Sequence, residues 1–318
     1  MTDKKKGKTS GQVRVERSTL DVVLRFIFGL QMGIGMAIAA LLIKIVSLLP
    51  FVSKSRKESL SLQIVKSTWN IVLFFALPWV RQEAAEEYQN EMAVFQECVA
   101  AFEETGRPVF ILGNHTSFFD TILTVSKIPL SVIGQTRTYM SSHLFNLPLL
   151  STICRGCGHF PVHFTSSELG KFSVDKEKMK IVAKDVDKHI EENGVLCFFP
   201  EGQMNAEPSK ILPLRYGGMK KALEFDACLF SFVTRGNPDI WPRKVQMGGF
   251  PGTAQYSLKA LAPEGVKSLL KSIRDAKDGE GFQSDEKDPD HVLLANFCQV
   301  VMQSQYDSML PASKDKDA

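Results

Sequence analysis

PVFILGNHTSFFD, residues 108–120, opens with six apolar or small residues and no polar alternation. That is the pattern of a strand covered on both faces. Asn114, His115, Thr116 and Ser117 then break the run, and a helix pattern follows from Ser117. The stretch therefore reads as strand, polar turn, helix. In open α/β sheets the carboxyl end of such a strand is where ligands bind.

Working outward, three further runs read as strands: SVIGQ (131–135) after Pro129, VLCFF (195–199) and ACLFSFV (227–233). Between them lie helix patterns. Residues 82–105 place Tyr88, Met92, Phe95, Val99 and Phe102 at helical spacing, with Gly106 and Pro108 as the stop. Residues 174–193 form a charged amphipathic helix ending at Asn193-Gly194, and 291–309 a final helix. Strands alternating with helices predict an α/β fold, a largely parallel sheet sandwiched by helices. The expected organisation is a basic, disordered arm over 1–18, a membrane-associated helical pair over 19–81 and the α/β domain over 82–276. A polar linker (KDGEGFQSDEKDPD, 277–290), the last helix and a disordered tail complete 277–318.

The N-terminal pair rests on two uncharged runs. FIFGLQMGIGMAIAALLI, residues 26–43, is 18 residues without a charge, and apolar character resumes after Lys44 as far as Val52. That is long enough for a bilayer core, with Lys44 snorkelling. The run starts too late and runs too long for a cleavable signal peptide. STWNIVLFFALPWV, residues 67–80, is 14 residues long, which suits a re-entrant or interfacial segment. Trp69 and Trp79 suit headgroup depth, and Pro78 ends or bends a helix. Basic residues stand before the first run and again at Lys54, Arg56 and Lys57. Two full spans would translocate one basic flank, so a hairpin dipping into the cytoplasmic leaflet is preferred. The alternative is a buried core helix pair, which Gly29, Gly33, Gly35, Ala37, Ala39 and Ala40 fit equally well.

Composition excludes several classes. Apolar residues at 44% and charged residues at 23% exclude general disorder. A net charge of +3 excludes a dedicated nucleic-acid binder. A mean hydropathy of −0.04 excludes a multi-span transporter. The six cysteines are too sparse for a disulfide scaffold, and Cys197 and Cys228 sit inside apolar runs as buried thiols do. The compartment facing the main domain is expected to be reducing. Cys154, Cys157, His159 and His163 invite a zinc reading, but no second Cys-x2-Cys arm accompanies them, so no metal is expected. Neither a Gly-x-Ser-x-Gly elbow nor a phosphate-binding glycine loop is present.

Two motifs carry chemistry. In GNHTSFFD (113–120), His115 in the turn and Asp120 in the first helical turn allow the carboxylate to fold back onto the imidazole. Thr116 or Ser117 would cap that helix. A carboxylate on one ring nitrogen fixes the tautomer and leaves the other nitrogen as a base. The alternative is an Asn-His loop that merely caps a helix. In VLCFFPEGQMN (195–205) a buried strand runs into Pro200-Glu201-Gly202, where a carboxylate and a glycine suit hydroxyl binding; the alternative is an ordinary turn.

In this order the two motifs resemble those of the glycerolipid acyltransferase family, most of all the 1-acylglycerol-3-phosphate acyltransferases. The match covers about residues 80–240 and runs through Asn114, His115 and Asp120; Pro148 and Gly158; Phe199 to Gly202; and Arg215 with Gly217 before ACLFSFV. The resemblance implies an acyl-CoA-dependent O-acyltransferase. His115 and Asp120 would be catalytic, and Asn114, Glu201, Gly202 and Arg215 would bind substrate. No cofactor would be needed beyond acyl-CoA as co-substrate. The implied partners are acyl-CoA, a lysophospholipid acceptor and the bilayer, with no nucleic acid. The implied product from 1-acyl-glycerol-3-phosphate is phosphatidic acid. Another lysophospholipid acceptor, or a catalytically weak membrane scaffold of the same fold, are the alternatives.

The chain departs from the family pattern where arginines would grip the acceptor phosphate. The lysine of the second block falls on Ser142, its closing Asp-Arg on His163 and Phe164, and the Thr-Arg after Glu-Gly on Gln203 and Met204. Arg155, His159, His163, Lys171 and Arg215 are the basic residues at hand. Asn114-His115-Thr116 is also a glycosylation sequon, so an active enzyme keeps this loop out of the secretory lumen or shielded in the fold. Lys314 and Lys316 resemble a dilysine retrieval signal, which implies an endoplasmic-reticulum membrane with the catalytic domain facing the cytosol.

Overall fold

The computed structural model describes residues 18–166, 173–275 and 288–309. The expected arm, most of the 277–290 linker, the tail and Lys171 lie outside the described residues. Helices α1 (Thr19–Ser47) and α2 (Lys54–Ala76) come first, then strand β1 (Val80–Ala84) and helices α3 (Tyr88–Ala100) and α4 (Phe102–Thr105). Next are β2 (Val109–Gly113), α5 (Phe119–Lys127), the single turn α6 (Leu130–Ile133), β3 (Thr136–Ser141), α7 (Leu150–Gly156) and β4 (Phe160–Val162). A small hairpin, β5 (Phe164–Ser166) and β6 (Ser173–Val174), leads to α8 (Lys176–Glu191) and β7 (Val195–Phe198). The chain closes with α9 (Tyr216–Glu224), β8 (Cys228–Arg235), α10 (Asn237–Ile240), β9 (Gly252–Ala262), α11 (Val266–Asp275) and α12 (Asp290–Ser308).

Seven strands form one sheet in the order β1-β9-β8-β2-β7-β3-β4. Every pairing is parallel except β8 with β9. β2 lies between β8 and β7 with all five residues buried, as its unbroken apolar run predicts. Val109 and Ile111 face a cluster built with α1, α2, α3 and α5; Phe110 and Leu112 face one built with α8, α9, α11 and α12. The predicted α/β sandwich is the observed fold, and it places the end of β2 near the middle of the sheet's carboxyl edge.

Two predicted elements differ. Residues 82–84 belong to β1, not to a helix, and α3 starts at Tyr88. Val80 is buried, and the strand pairs with the open edge of β9, a tertiary pairing that overrides the helical preference of Gln-Glu-Ala-Ala. SVIGQ is not a strand. The N–H groups of Val132 and Ile133 donate to the Pro129 carbonyl at 3.0 and 2.9 Å and close a helical turn, so the strand starts at Thr136.

The first apolar run lies in α1, which Ser18 caps by accepting from the Asp21 N–H while Asp21 accepts from the Ser18 N–H. The second run supplies the end of α2 over residues 67–76 and reaches β1 at Val80; the first turns of α2 contain Lys54, Arg56 and Lys57. Among the described residues α1 is the one helix long and apolar enough to cross a membrane. It has two faces. Phe28, Met32, Gly35, Ala39, Ala40 and Ile43 are buried against the protein, whereas Phe26, Leu30, Ile34, Ile38, Leu41 and Ile45 are exposed. A Cβ on Gly35 would stand 3.0 Å from Thr68 Cγ2 and 3.2 Å from Val72 Cγ2, so glycine there lets α1 approach α2 closely. Near its start, α1 is held by Arg25 Nε donating to the Met247 carbonyl at 2.7 Å and by Phe28 edge-on to Trp241. Near its end, Lys57 Nζ donates to the Ser47 carbonyl at 3.1 Å. The two tryptophans are held by the protein itself. Trp69 is buried in the protein, and Trp79 Nε1 donates to the Gly249 carbonyl at 3.0 Å.

Candidate active site

The chain leaves β2 at Gly113, and the next seven residues build a loop around one carboxylate. Asp120, in the first turn of α5, is fully buried. Its Oδ2 accepts from the N–H groups of Thr116 at 2.6 Å and Ser117 at 2.8 Å, and lies 3.2 Å from His115 Nδ1. Its Oδ1 accepts from Asn237 Nδ2 at 2.6 Å and Thr234 Oγ1 at 3.2 Å. Every partner is a donor when His115 carries its proton on Nδ1, which suits an acceptor-only carboxylate. The carboxylate folds back onto the imidazole as the motif predicts. Asp120 binds the Thr116 and Ser117 N–H groups just ahead of the helix. Ser117 Oγ accepts from the N–H of Phe119, the first residue of α5, as expected of a residue capping the helix start, and donates to the Trp241 carbonyl at 2.7 Å.

His115 is fixed on three sides. Its N–H donates to Glu201 Oε1 at 2.8 Å, and its carbonyl accepts from the Asn205 N–H at 2.6 Å. Its ring stacks on Phe199 at 4.3 Å and 13°. A Cβ on Gly113 would lie 2.7 Å from the Phe199 ring, so only glycine lets that ring pack against the end of β2. The His115 side chain is 21% exposed, and Nε2 has no hydrogen-bond partner among the described residues. One ring nitrogen is thus held on a buried carboxylate, and the other is left without a protein partner.

The second motif supports the first. Glu201 is buried; Oε1 accepts from His115, and Oε2 from Asn205 Nδ2 and the Leu212 N–H, both at 3.0 Å. Burial pushes the Glu201 carboxyl up, and the donated N–H groups oppose that shift. Gly202 follows at φ 72°, a left-handed turn that favours glycine. Asn114 is buried as well: its amide oxygen accepts from the Thr234 N–H at 2.7 Å and its Nδ2 donates to the Thr234 carbonyl at 2.9 Å. Asn114 and Glu201, expected on substrate, therefore have their side-chain polar atoms bonded to protein. Arg215 is exposed at the start of α9, and its N–H donates to the Pro200 carbonyl at 2.8 Å, which ties it to the Pro200–Gly202 turn.

The other basic residues separate. Arg155 and His159 line a basin of about 880 Å³ with Gly134, Gln135 and Gly194, which precede β3 and β7. That is the amino end of the parallel strands, opposite to His115. His159 is held neutral, its pKa lowered to about 3 by burial and by Arg137. Sequence reasoning missed Thr234 and Asn237. The signal was the polar run Thr234-Arg235-Gly236-Asn237 straight after the apolar strand, in the same strand-end position as the two motifs.

The Acyltransferase family model matches residues 87–240, a span that contains His115, Asp120, Glu201, Arg215, Thr234 and Asn237. Among curated proteins nothing matches the chain. One similar solved structure is the 1-acyl-sn-glycerophosphate (LPA) acyltransferase PlsC from Thermotoga maritima, with a TM-score of 0.61 at 12% identity. The likeness covers 92% of this chain and 98% of that one, and it is a likeness of fold.

Proposed function

From the acyltransferase-family domain that this chain carries over residues 87–240, we propose that it transfers a fatty acyl group from acyl-CoA to the free hydroxyl of a lysoglycerophospholipid. The acceptor we assign is 1-acyl-glycerol-3-phosphate, and the product phosphatidic acid. The observation that carries this reading is the imidazole held on Asp120 through Nδ1, with Nε2 unpartnered.

His115 Nε2 takes the proton of the acceptor hydroxyl as its oxygen bonds to the thioester carbonyl carbon. Asp120 holds the tautomer and stabilises the imidazolium that results. The tetrahedral intermediate collapses, the C–S bond breaks, and the departing thiolate receives the proton back. Because a thioester brings its own leaving group, this path calls for no cofactor beyond the co-substrate. Arg215, whose backbone is tied to the Pro200–Gly202 turn, is the cation this reading assigns to the acceptor phosphate.

The membrane supplies the acyl chains. Phe118, 48% exposed beside His115, lies 5.7 Å from Trp241, which packs on α1 through Phe28. The catalytic loop and the inner face of α1 are thus linked by adjoining side chains. Since α1 is bonded to the domain near its start through Arg25 and packs on Gly156 of α7 through Ile43 further along, the reading has it lie in one leaflet of the endoplasmic-reticulum membrane, with the domain on the cytosolic side.

Purified full-length protein, given acyl-CoA and a panel of lysolipids, is expected to release CoA fastest with 1-acyl-glycerol-3-phosphate. A preference for a lysolipid with a larger headgroup would transfer the assignment to that acceptor, a reading favoured by Gln203 and Met204 standing where the family has Thr-Arg. No CoA release with any lysolipid would leave a scaffold of the same fold.

A further inference from the structure

Helix α3 crosses the β8–β9 part of the sheet in matching register. Phe95 stacks edge-on against Phe230 at 5.3 Å. Cys98 is three residues beyond Phe95 on the same helix face, and Cys228 two residues before Phe230 on the same strand face. The two thiols converge on one acceptor: both donate to the Pro263 carbonyl, Cys98 Sγ at 3.6 Å and Cys228 Sγ at 3.1 Å. Cys98 is half-buried and therefore reachable from solvent; Cys228 is buried beneath it. We propose that Cys98 and Cys228 are an oxidation site, a peroxide-driven and reducible disulfide that fastens α3 to β8.

The chemistry divides between the two sulfurs. The neighbouring Cys228 thiol holds the Cys98 thiol below its ordinary pKa, while that neighbour relation and burial push Cys228 up. The Cys98 thiolate attacks one oxygen of hydrogen peroxide; an S–O bond forms, the O–O bond breaks, and the departing hydroxide takes up a proton as water. The Cys228 sulfur then attacks the Cys98 sulfenic sulfur. The S–S bond forms, the S–O bond breaks, and the second oxygen leaves as water with the Cys228 proton. Two electrons pass from the sulfur pair to the peroxide, and a dithiol returns them. The remaining cysteines have no such arrangement. Burial pushes Cys154 to about 11 and Cys197 to about 12, and raises Cys157 and Cys298 further, so they stay protonated.

The test treats full-length protein in detergent with hydrogen peroxide, alkylates the remaining thiols and maps the peptides by mass. The expected result is one cross-linked peptide pair, Cys98 with Cys228, that dithiothreitol separates. In Cys228→Ser, dimedone should label Cys98; in Cys98→Ser, it should leave Cys228 unlabelled. Oxidised wild type should unfold about 2–10 °C above the reduced form, a rise that Cys98→Ser abolishes. Oxidation that stops at the Cys98 sulfenic acid in wild type, a Cys98 bond between two chains, or faster oxidation of Cys154 or Cys157 would each overturn the assignment.

Discussion

Replacing His115 with alanine removes a half-buried ring at the end of β2 and leaves the carboxylate beneath it with its other donors. Circular dichroism of His115→Ala should match wild type, while CoA release falls by about 10²-fold or more. Asp120→Asn is a harsher change. An amide group can face either Thr116 and Ser117 or Thr234 and Asn237 with its oxygen, but not both pairs. One side is then left opposing donors in a buried site, at roughly 1–3 kcal/mol in urea unfolding, on top of the lost tautomer control. Activity should drop with His115→Ala, and unlike that variant the protein should also be measurably less stable. Arg215→Ala addresses the acceptor. Its KM for 1-acyl-glycerol-3-phosphate should rise about 10- to 150-fold with the acyl-CoA KM little changed. Unchanged acceptor kinetics would remove Arg215 from the phosphate.

Among elements, the contact between α1 and α2 is the sharpest to probe, because glycines two residues apart on α1 have opposite surroundings. Gly35→Val drives methyl groups into Thr68 and Val72, and overpacking of that kind costs about 1–3 kcal/mol. Gly33→Ala meets nothing within 4 Å and should leave the melting temperature unchanged or slightly raised. Equal behaviour of the two variants would mean that α1 does not pack on α2 as described. This pair also shows what the sequence could not convey. A stripe of small residues marks a helix that something approaches closely, but not which glycine is approached. Central elements were legible for a physical reason: β2, β7 and β8 are covered on both faces, so their apolar runs are unbroken. β1 and β3 were not. β1 is an edge strand with exposed polar side chains, and β3 carries Thr136 and Arg137, the latter a buried cation 3.3 Å from Glu58 of α2. In the site, the residues near one another in sequence were readable. Thr234 and Asn237 reach Asp120 across more than a hundred residues, and only the parallel neighbour relation of β2 and β8 brings them there.

At the scale of the molecule, orientation is the open test. A cysteine introduced at Ser55 and one introduced near the N-terminus should both be labelled by a membrane-impermeant maleimide in sealed microsomes. Labelling of the second but protection of the first would mean a two-span hairpin. The two-faced character of α1 has a practical corollary for anyone seeking a water-soluble form. Truncating a membrane anchor is the usual route, and here it should fail. The inner face of α1 roofs the core, and deleting residues 19–47 would uncover the surfaces now closed by Phe28, Met32, Ala39 and Ile43. Recoding the outward positions, Leu30, Ile34, Ile38 and Leu41 to glutamate or lysine, leaves that roof in place. The recoded chain is expected to run as a monodisperse species without detergent, with the melting temperature of the parent, whereas the truncated chain aggregates.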